Sequence, residues 1–158
     1  MTLIKTSLLK VWRSLPPWMQ NLLSRWIRPL FQVFAAAVIF DEQGRLLLVK
    51  TTYNRLHPWG LPGGSLEYGE SPEHGVLREV YEETSLVVEI EYFIFVKTWA
   101  PDRVGLYYLC HIAEGEFKPS NEISEYGYFS LDDLPDVRPL DVLLIEQIFE
   151  IMAVLETR

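Results

Sequence analysis

Residues 59–86 decide the fold and read WGLPGGSLEYGESPEHGVLREVYEETSL. The stretch begins as a glycine-rich loop and continues as a segment with helical character. Ser71-Pro72 is a typical helix start, with serine as the N-cap and proline at the first helical position. The pattern therefore predicts a helix that begins at Ser71, directly after the loop, and runs to about Thr84.

One face of the predicted helix is acidic. At about 100° per residue, Glu79, Glu82 and Glu83 fall on one side, next to a largely apolar side. Each like-charge pair at this spacing costs about 0.2–0.5 kcal/mol on an exposed helix. Arg78 lies four residues before Glu82 and can pair with it, but one arginine cannot neutralise three acids. A solvated acidic surface is one explanation, and a hard divalent cation such as Mg²⁺, which prefers oxygen ligands, is the other.

The loop that precedes the helix favours the cation. The adjacent glycines Gly63 and Gly64 allow a ligand to approach the backbone closely and permit a positive φ. Glu70 stands just before the helix N-cap. A glycine-rich loop beside a carboxylate-lined helix predicts a platform for a metal ion and a phosphate group.

These residues resemble the signature motif of the Nudix hydrolase family. That motif is Gly, five residues, Glu, seven residues, Arg-Glu, an aliphatic residue, any residue, Glu-Glu, any residue, Gly and an aliphatic residue. The sequence supplies it from Gly64 through Glu70 and Arg78 to Leu86, and departs from it at Ser85, where the family has glycine. The departure concerns the end of the helix, where a left-handed glycine is common, and not any carboxylate.

The resemblance implies an α/β fold of the Nudix type, an α/β/α sandwich in which a mixed sheet carries helices on both sides. We assign this domain to residues 33–158. The sequence pattern agrees with strands at 33–40, 45–50, 87–99, 104–113 and 126–130, a long loop at 51–70, and a C-terminal helix with an apolar stripe from Leu140 to Leu155.

The resemblance also implies a metal-assisted hydrolase that cleaves the pyrophosphate bond of a nucleoside diphosphate linked to another moiety. By position, Glu79, Glu82 and Glu83 correspond to metal ligands, and Glu79 is alternatively the general base. Arg78 corresponds to the residue that orients the first glutamate. Gly63 occupies the place at which the family lends a backbone carbonyl to the metal.

A fifth metal ligand is expected after the motif, because some family members place a glutamate before a short strand with an aromatic residue. Glu122 has the matching spacing, and Glu125 is the alternative. The metal is expected to be Mg²⁺ or Mn²⁺. It lowers the pKa of its bound water, and it explains how an acidic protein binds a polyanion.

Four residues are candidates for contacts with the substrate. Lys50 ends a strand where related proteins place a basic phosphate contact. Arg55 lies in the long loop and can touch a phosphate, Gly64 offers its backbone, and Trp59 can stack on a base. The alternatives are a solvated lysine and arginine and a tryptophan that only packs on the domain.

Charge divides the chain into two parts. Residues 1–40 carry five basic residues and no acid, whereas residues 41–158 carry nine bases and 22 acids, a net charge of −13. The acidic body argues against a nucleic-acid polymer as a partner, since such a partner needs a basic footprint. The spacing of apolar and basic residues predicts that residues 1–32 form a basic amphipathic helical arm. It can lie on a membrane surface, pack on the domain or support self-association, for example as a homodimer.

The substrate is expected to be a small nucleotide or nucleotide sugar, such as ADP-ribose or a (deoxy)nucleoside triphosphate. A catalytically silent Nudix-like domain that senses a nucleotide is the alternative, although degenerate domains are expected to lose motif carboxylates. The single cysteine, Cys110, fits a reducing compartment and hence a cytoplasmic location.

Overall fold

The computed structural model describes residues 12–27 and 30–156. The helices are α1 (Pro17–Ile27), α2 (Pro72–Thr84) and α3 (Pro139–Glu156), and a 3₁₀ turn spans Leu131–Asp133. The strands are β1 (Gln32–Ile39), β2 (Leu46–Thr51), β3 (Trp59–Gly60), β4 (Gly63–Ser65), β5 (Val87–Trp99), β6 (Arg103–Glu114) and β7 (Ile123–Phe129).

The strands form two sheets, with orders β4-β1-β6-β5 and β3-β2-β7. Strand β1 is parallel to β6 and antiparallel to β4, so the larger sheet is mixed. Strand β6 is antiparallel to β5, and β2 is antiparallel to both β3 and β7. The mixed sheet confirms the α/β class.

Strand β1 divides the core into two halves. Because successive side chains of a strand point to opposite faces, Ala35, Ala37 and Ile39 pack in the half that contains Val76 and Val80 of α2. Residues Ala36 and Val38 point the other way and pack in the half that contains three buried residues of α3, Leu144, Ile145 and Ile148. Helices therefore cover both faces, which confirms the α/β/α sandwich.

Helix α2 begins and ends as the sequence predicts. The Ser71 hydroxyl accepts a hydrogen bond from the His74 N–H at 3.3 Å. At the other end Ser85 is left-handed, with φ 61° and ψ 14°, and its N–H donates to the Tyr81 carbonyl. The buried Thr84 hydroxyl donates to the Val80 carbonyl and accepts from the Leu86 N–H at 3.2 Å. These bonds fix the orientation of the helix from both ends.

The segment 51–70 differs from the predicted loop, because it contains β3 and β4. Trp59 pairs with Lys50 of β2, and Gly63 pairs with Ala36 of β1. Glycine-rich sequences have low strand propensity, but pairing with a neighbouring strand overrides it here. Strand β7 also begins at Ile123, three residues before the predicted start, because its pairing with β2 extends to Thr51.

The N-terminal arm is described in part, since residues 1–11 and 28–29 lie outside the described ranges. Within α1, Trp18 and Leu22 are more than half exposed, and Leu30 and Phe31 after it are exposed as well. Met19 is half-buried, so the described apolar residues of α1 differ in exposure, and the role of the arm stays a prediction. None of the helices formed by the described residues combines the length and apolar character that a bilayer crossing requires.

We predict that Ser85→Gly stabilises the protein. The left-handed conformation costs a non-glycine residue about 1–2 kcal/mol, and the extra freedom of glycine in the unfolded chain offsets part of this cost. We expect a net gain of about 0.5–1 kcal/mol in the free energy of unfolding, measured by urea denaturation. Ser71→Ala, which removes the N-cap, should lower the same quantity by about 1 kcal/mol. A lower midpoint for Ser85→Gly would contradict the prediction.

Candidate active site

A cleft of about 760 Å³ is lined by residues from both sheets and from the helices α2 and α3. Its walls come from β4 and the glycine loop, from α2, from the segments before β3 and β7, and from β1, β6 and α3. Glu79, Glu82, Glu83 and Glu122 all line it. The fold thus brings together four carboxylates that come from two distant parts of the sequence.

Arg78 holds two of these carboxylates. Its Nη1 donates to Glu79 Oε1 at 3.0 Å and to Glu82 Oε2 at 3.1 Å. Its Nη2 also donates to the Ser65 carbonyl at 3.3 Å, which ties the helix to β4. The hydrogen bonds to carboxylates, above all that to Glu70, raise the pKa of Arg78. The guanidinium therefore stays charged and fixes the positions of the acidic side chains around it.

Glu70 connects the loop to this network. Its two oxygens accept from Arg78 Nε at 2.9 Å and Nη2 at 3.0 Å, a bidentate pair, which is both strong and directional. It also accepts from the Glu67 N–H at 3.0 Å. The Arg78 hydrogen bonds, followed by the Glu67 N–H, lower the pKa of Glu70 to about 2. Glu70 is thus ionised at neutral pH and anchors the loop.

Glu83 lies in a very different environment. Its exposed fraction is 9%, and its Oε2 accepts from the Gly63 N–H at 2.9 Å. Burial raises the pKa of Glu83 to about 8, and the nearby charges of Glu79 and Glu122 act in the same direction, although the Gly63 hydrogen bond opposes them. Without a cation in the cleft, Glu83 is therefore mostly protonated at neutral pH.

The two glycines of the loop make this approach possible. A Cβ at Gly64 would collide with the Glu79 carboxylate, whose Oε1 would lie at 2.7 Å. Gly63 has φ 141°, and a Cβ there would collide with the backbone of Ala35. The loop backbone thus rests directly against the carboxylates of α2, as the sequence predicts from the adjacent glycines.

The oxygen groups of the cleft suit a hard divalent cation. Among the described residues, however, no three carboxylate, imidazole or thiol side chains converge closely enough to hold one as they stand. Arg78 engages Glu79 and Glu82, while Glu83 accepts from the Gly63 N–H. The donor set fits the metal, and its assignment as a ligand set stays a prediction.

The predicted substrate contacts divide into two groups. Trp59 and Gly64 line the cleft, whereas Lys50 and Arg55 are not among its lining residues. The register of β2 and β7 places Lys50 opposite Glu125, and its Nζ pairs with that carboxylate at 3.3 Å. The Lys50 Nζ also lies 5.6 Å from the centroid of the Trp59 ring, at the border of the cleft, so a contact of Lys50 with the substrate stays a prediction.

Three charged residues of the cleft were not found from the sequence. Arg103 begins β6, Arg138 precedes α3, and Asp141 lies in the first turn of α3. Arg138 Nε donates to Asp141 Oδ2 at 2.6 Å. None of these residues is close to the motif in sequence, and only strand register and helix packing bring them to the cleft. The hydrophobic pattern holds no signal for them.

Fold and site together define the class: an α/β/α enzyme in which a carboxylate-bearing helix faces a glycine-rich loop across a cleft. Residues 30–148 match the NUDIX domain family. A MutT-like protein of Streptomyces ambofaciens is 36% identical over 73% of this chain and 79% of its own length. An ADP-ribose pyrophosphatase of Methanocaldococcus jannaschii is 31% identical over 61% of each chain.

A solved structure agrees with these matches. The crystal structure of an ADP-ribose pyrophosphatase from Streptococcus suis superimposes with a TM-score of 0.65 at 30% identity, and covers 78% of this chain and 91% of that one. The chain therefore belongs to the Nudix family and is a hydrolase of that family, which confirms the resemblance seen in the motif.

We predict that the stability of the metal-free protein falls between about pH 5 and pH 8 because of Glu83. The folded-state pKa of about 8 lies above the ordinary value of 4.5, so the folded state binds the extra proton in this range. The stabilisation is complete below the ordinary value and is lost as the pH rises through about 8. One such group contributes at most about 1.4 kcal/mol per pH unit.

Urea denaturation with a chelator at pH 5, 6, 7 and 8 measures this slope. Glu83→Gln keeps the acceptor for the Gly63 N–H but cannot ionise, so its slope should be flatter than that of the parent. Glu82→Gln is the matched control, because the Glu82 side chain is 60% exposed, and it should keep the parent slope. Equal slopes for Glu83→Gln and the parent would contradict the assignment.

Proposed function

We propose that this protein is a metal-dependent pyrophosphohydrolase that cleaves a nucleoside diphosphate linked to another moiety. The substrate class is a nucleotide or nucleotide sugar, such as ADP-ribose or a (deoxy)nucleoside triphosphate. One observation carries the proposal: the carboxylates of α2 face the glycine loop inside a cleft that is large enough for a nucleotide. The activities for which the two ADP-ribose pyrophosphatases among its relatives are named support the same class.

Mg²⁺ or Mn²⁺ is the proposed cofactor. Glu79, Glu82, Glu83 and Glu122, with the Gly63 carbonyl, would hold it. The four glutamates of the cleft repel one another, and burial raises the pKa of Glu83 so that its neutral form is favoured. A divalent cation would therefore reduce the unfavourable electrostatic energy of these side chains. When bound, the metal neutralises the diphosphate and lowers the pKa of a water molecule.

The protein's own groups provide the positioning. Arg78 keeps Glu79 and Glu82 on the cleft side of α2. Glu70 accepts two hydrogen bonds from Arg78 and so holds the loop against the helix. Glu79 is the candidate general base, because it lies against the backbone of Gly64, where a phosphate group can approach. Trp59, whose ring packs edge-on against Phe129 at 5.0 Å, is the candidate for stacking on a base.

Glu82→Gln should lower turnover at least about 100-fold, because metal assistance supplies several kcal/mol of transition-state stabilisation. In the parent, Mg²⁺ should raise the melting temperature, since a ligand at 100 times its Kd adds about 2.7 kcal/mol to the stability of the native state. The Mg²⁺-dependent shift should shrink in Glu82→Gln. Turnover on a panel of nucleotides and nucleotide sugars, beside melting with and without Mg²⁺, measures both effects.

Glu125→Gln is the matched control for this experiment. It removes the same charge from a carboxylate that pairs with Lys50 and is not among the residues that line the cleft, so we expect turnover within about twofold of the parent, a change of about 0.4 kcal/mol in the activation free energy. Glu122→Gln should weaken both turnover and the Mg²⁺ response. An active Glu82→Gln enzyme with an unchanged Mg²⁺ response would refute the metal assignment, and binding without turnover in the parent would favour the silent sensor.

We also propose that residues 1–32 form an arm separate from the catalytic domain of residues 33–158. No acidic residue lies in the arm, so it offers no carboxylate ligand for a metal. Deletion of residues 1–30 should leave turnover per folded molecule within a few-fold, whether the arm serves a membrane surface or a second copy of the chain. Complete loss of turnover in a folded truncated protein would show that the arm helps to form the site. The cytoplasmic location stays a prediction.

A further inference from the structure

Helix α1 turns apolar side chains outward and polar side chains inward. Trp18 and Leu22, one helical turn apart, are 65% and 52% exposed. Gln20 and Ser24, one turn apart on another side of the helix, are half-buried. A surface helix of a globular protein normally turns its apolar side to the core and its polar side to water. The described part of the chain therefore does not supply the apolar cover that Trp18 and Leu22 would normally have.

Hydrogen bonds hold α1 in this orientation. The Gln20 Nε2 donates to the carbonyls of Trp12 and Leu15, at 3.1 and 2.8 Å, and the Gln20 N–H donates to the Pro16 carbonyl at 3.1 Å. A rotation of α1 that buried Trp18 would break the side-chain bonds of Gln20. The outward direction of the apolar side is therefore set by the arm itself.

The exposed apolar residues continue along the chain up to the domain. Leu30 and Phe31 follow α1 and are exposed. The next residue, Gln32, begins β1, and its N–H donates to the Asp102 carbonyl at 2.8 Å, which attaches this end of the arm to the sheet. We call the exposed apolar residues of this segment the arm surface: Trp18, Leu22, Leu30 and Phe31.

Charge and composition indicate what covers the arm surface. Residues 1–32 carry five basic residues and no acid, and they contain three of the five tryptophans of the chain. A helix with tryptophan and leucine on one side and basic residues on the other is typical of segments that lie in the interface of a bilayer. There the apolar side chains enter the boundary of the acyl chains, while lysine and arginine stay among the headgroups. The net charge of +5 favours anionic headgroups.

A second copy of the chain fits the arm less well. Two arms would repel each other, since each carries +5. The acidic body attracts the basic residues, but its exposed apolar residues lie among carboxylates. On α3, Leu140 and Leu143 are on the same side of the helix as the exposed Glu150. Covering Trp18 with that surface would bury a carboxylate, which is costly unless the charge is paired.

We propose that residues 1–32 bind the surface of an anionic lipid bilayer. The arm surface enters the interface, and the basic residues of the arm lie among the headgroups. The body of residues 33–158 carries a net charge of −13, so the same headgroups repel it and it stays on the aqueous side. The proposal goes beyond the proposed function and does not depend on it, because binding to lipid requires neither a metal nor a nucleotide.

Co-sedimentation of the full chain with vesicles tests the proposal. One set of vesicles is phosphatidylcholine alone, and the other is an equal mixture of phosphatidylcholine and phosphatidylglycerol. The parent should bind the anionic vesicles at least about 10-fold more tightly than the neutral ones, because each basic residue near an anionic surface adds to the affinity. Raising the salt concentration should weaken this binding, since salt screens exposed charges.

The double variant Trp18→Ser, Leu22→Ser should bind the anionic vesicles at least about 10-fold more weakly than the parent, because it removes apolar contact and leaves the charge unchanged. Both side chains are exposed, so the variant should fold, and unchanged circular dichroism checks this. The matched control is Leu140→Ser, Leu143→Ser, which removes apolar side chains of similar exposure, 60% and 57%, from α3. The control should bind the vesicles as the parent does.

The double variant Arg25→Gln, Arg28→Gln provides an independent measurement, since it keeps the arm surface and removes two of the five basic residues of the arm. It should lose most of the preference for anionic over neutral vesicles. Binding of the parent to neither kind of vesicle, or to both equally, would overturn the proposal. So would equal binding of the parent and the Trp18→Ser, Leu22→Ser variant.

Light scattering distinguishes a second copy of the chain from a bilayer. A parent that is dimeric and binds no vesicles, together with a monomeric Trp18→Ser, Leu22→Ser variant, would assign the arm surface to a second copy and overturn the proposal. Vesicle binding that is lost in this variant and kept in the α3 control would support it, whether or not any nucleotide is cleaved.

Discussion

The contact between Arg78 and Glu70 joins the two halves of the site. Glu70 ends the glycine loop and Arg78 lies on α2, and their bidentate pair holds loop and helix at a fixed separation. The same guanidinium then orders Glu79 and Glu82. Without this pair, repulsion between the carboxylates of α2 would leave their side chains without fixed positions. The glycine loop would also lose its contact with the helix. Arg78 thus offsets the repulsion between these carboxylates and fixes their positions.

The sequence predicted those parts of the site that depend on local spacing. Helical periodicity placed Glu79, Glu82 and Glu83 on one face, and the serine-proline pair located the start of α2. The left-handed Ser85 followed from the position just after the helix, where the family has glycine. All of these features are set within a few residues of chain, so their geometry is encoded by the segment itself.

The sequence did not predict the parts of the site that depend on strand register. The sequence did not show the partner of Lys50, because the pairing of β2 with β7 places Lys50 opposite Glu125. Arg103 was not singled out, although β6 carries it to the cleft. The unusual ionisation of Glu83 was also unforeseen, because it arises from burial against Gly63 rather than from the acidic pattern. Pairing partners and burial are properties of the assembled fold, which local periodicity does not contain.

Strand β1 serves the core and the cleft at the same time. One set of alternating residues, Ala35, Ala37 and Ile39, packs on the side of α2, while Phe34 and Ala36 of the other set line the cleft. A shift of β1 by a single residue would exchange the two sets, and would place phenylalanine where alanine now lies beneath α2. A mispaired β1 would therefore disturb the hydrophobic core and the cleft together.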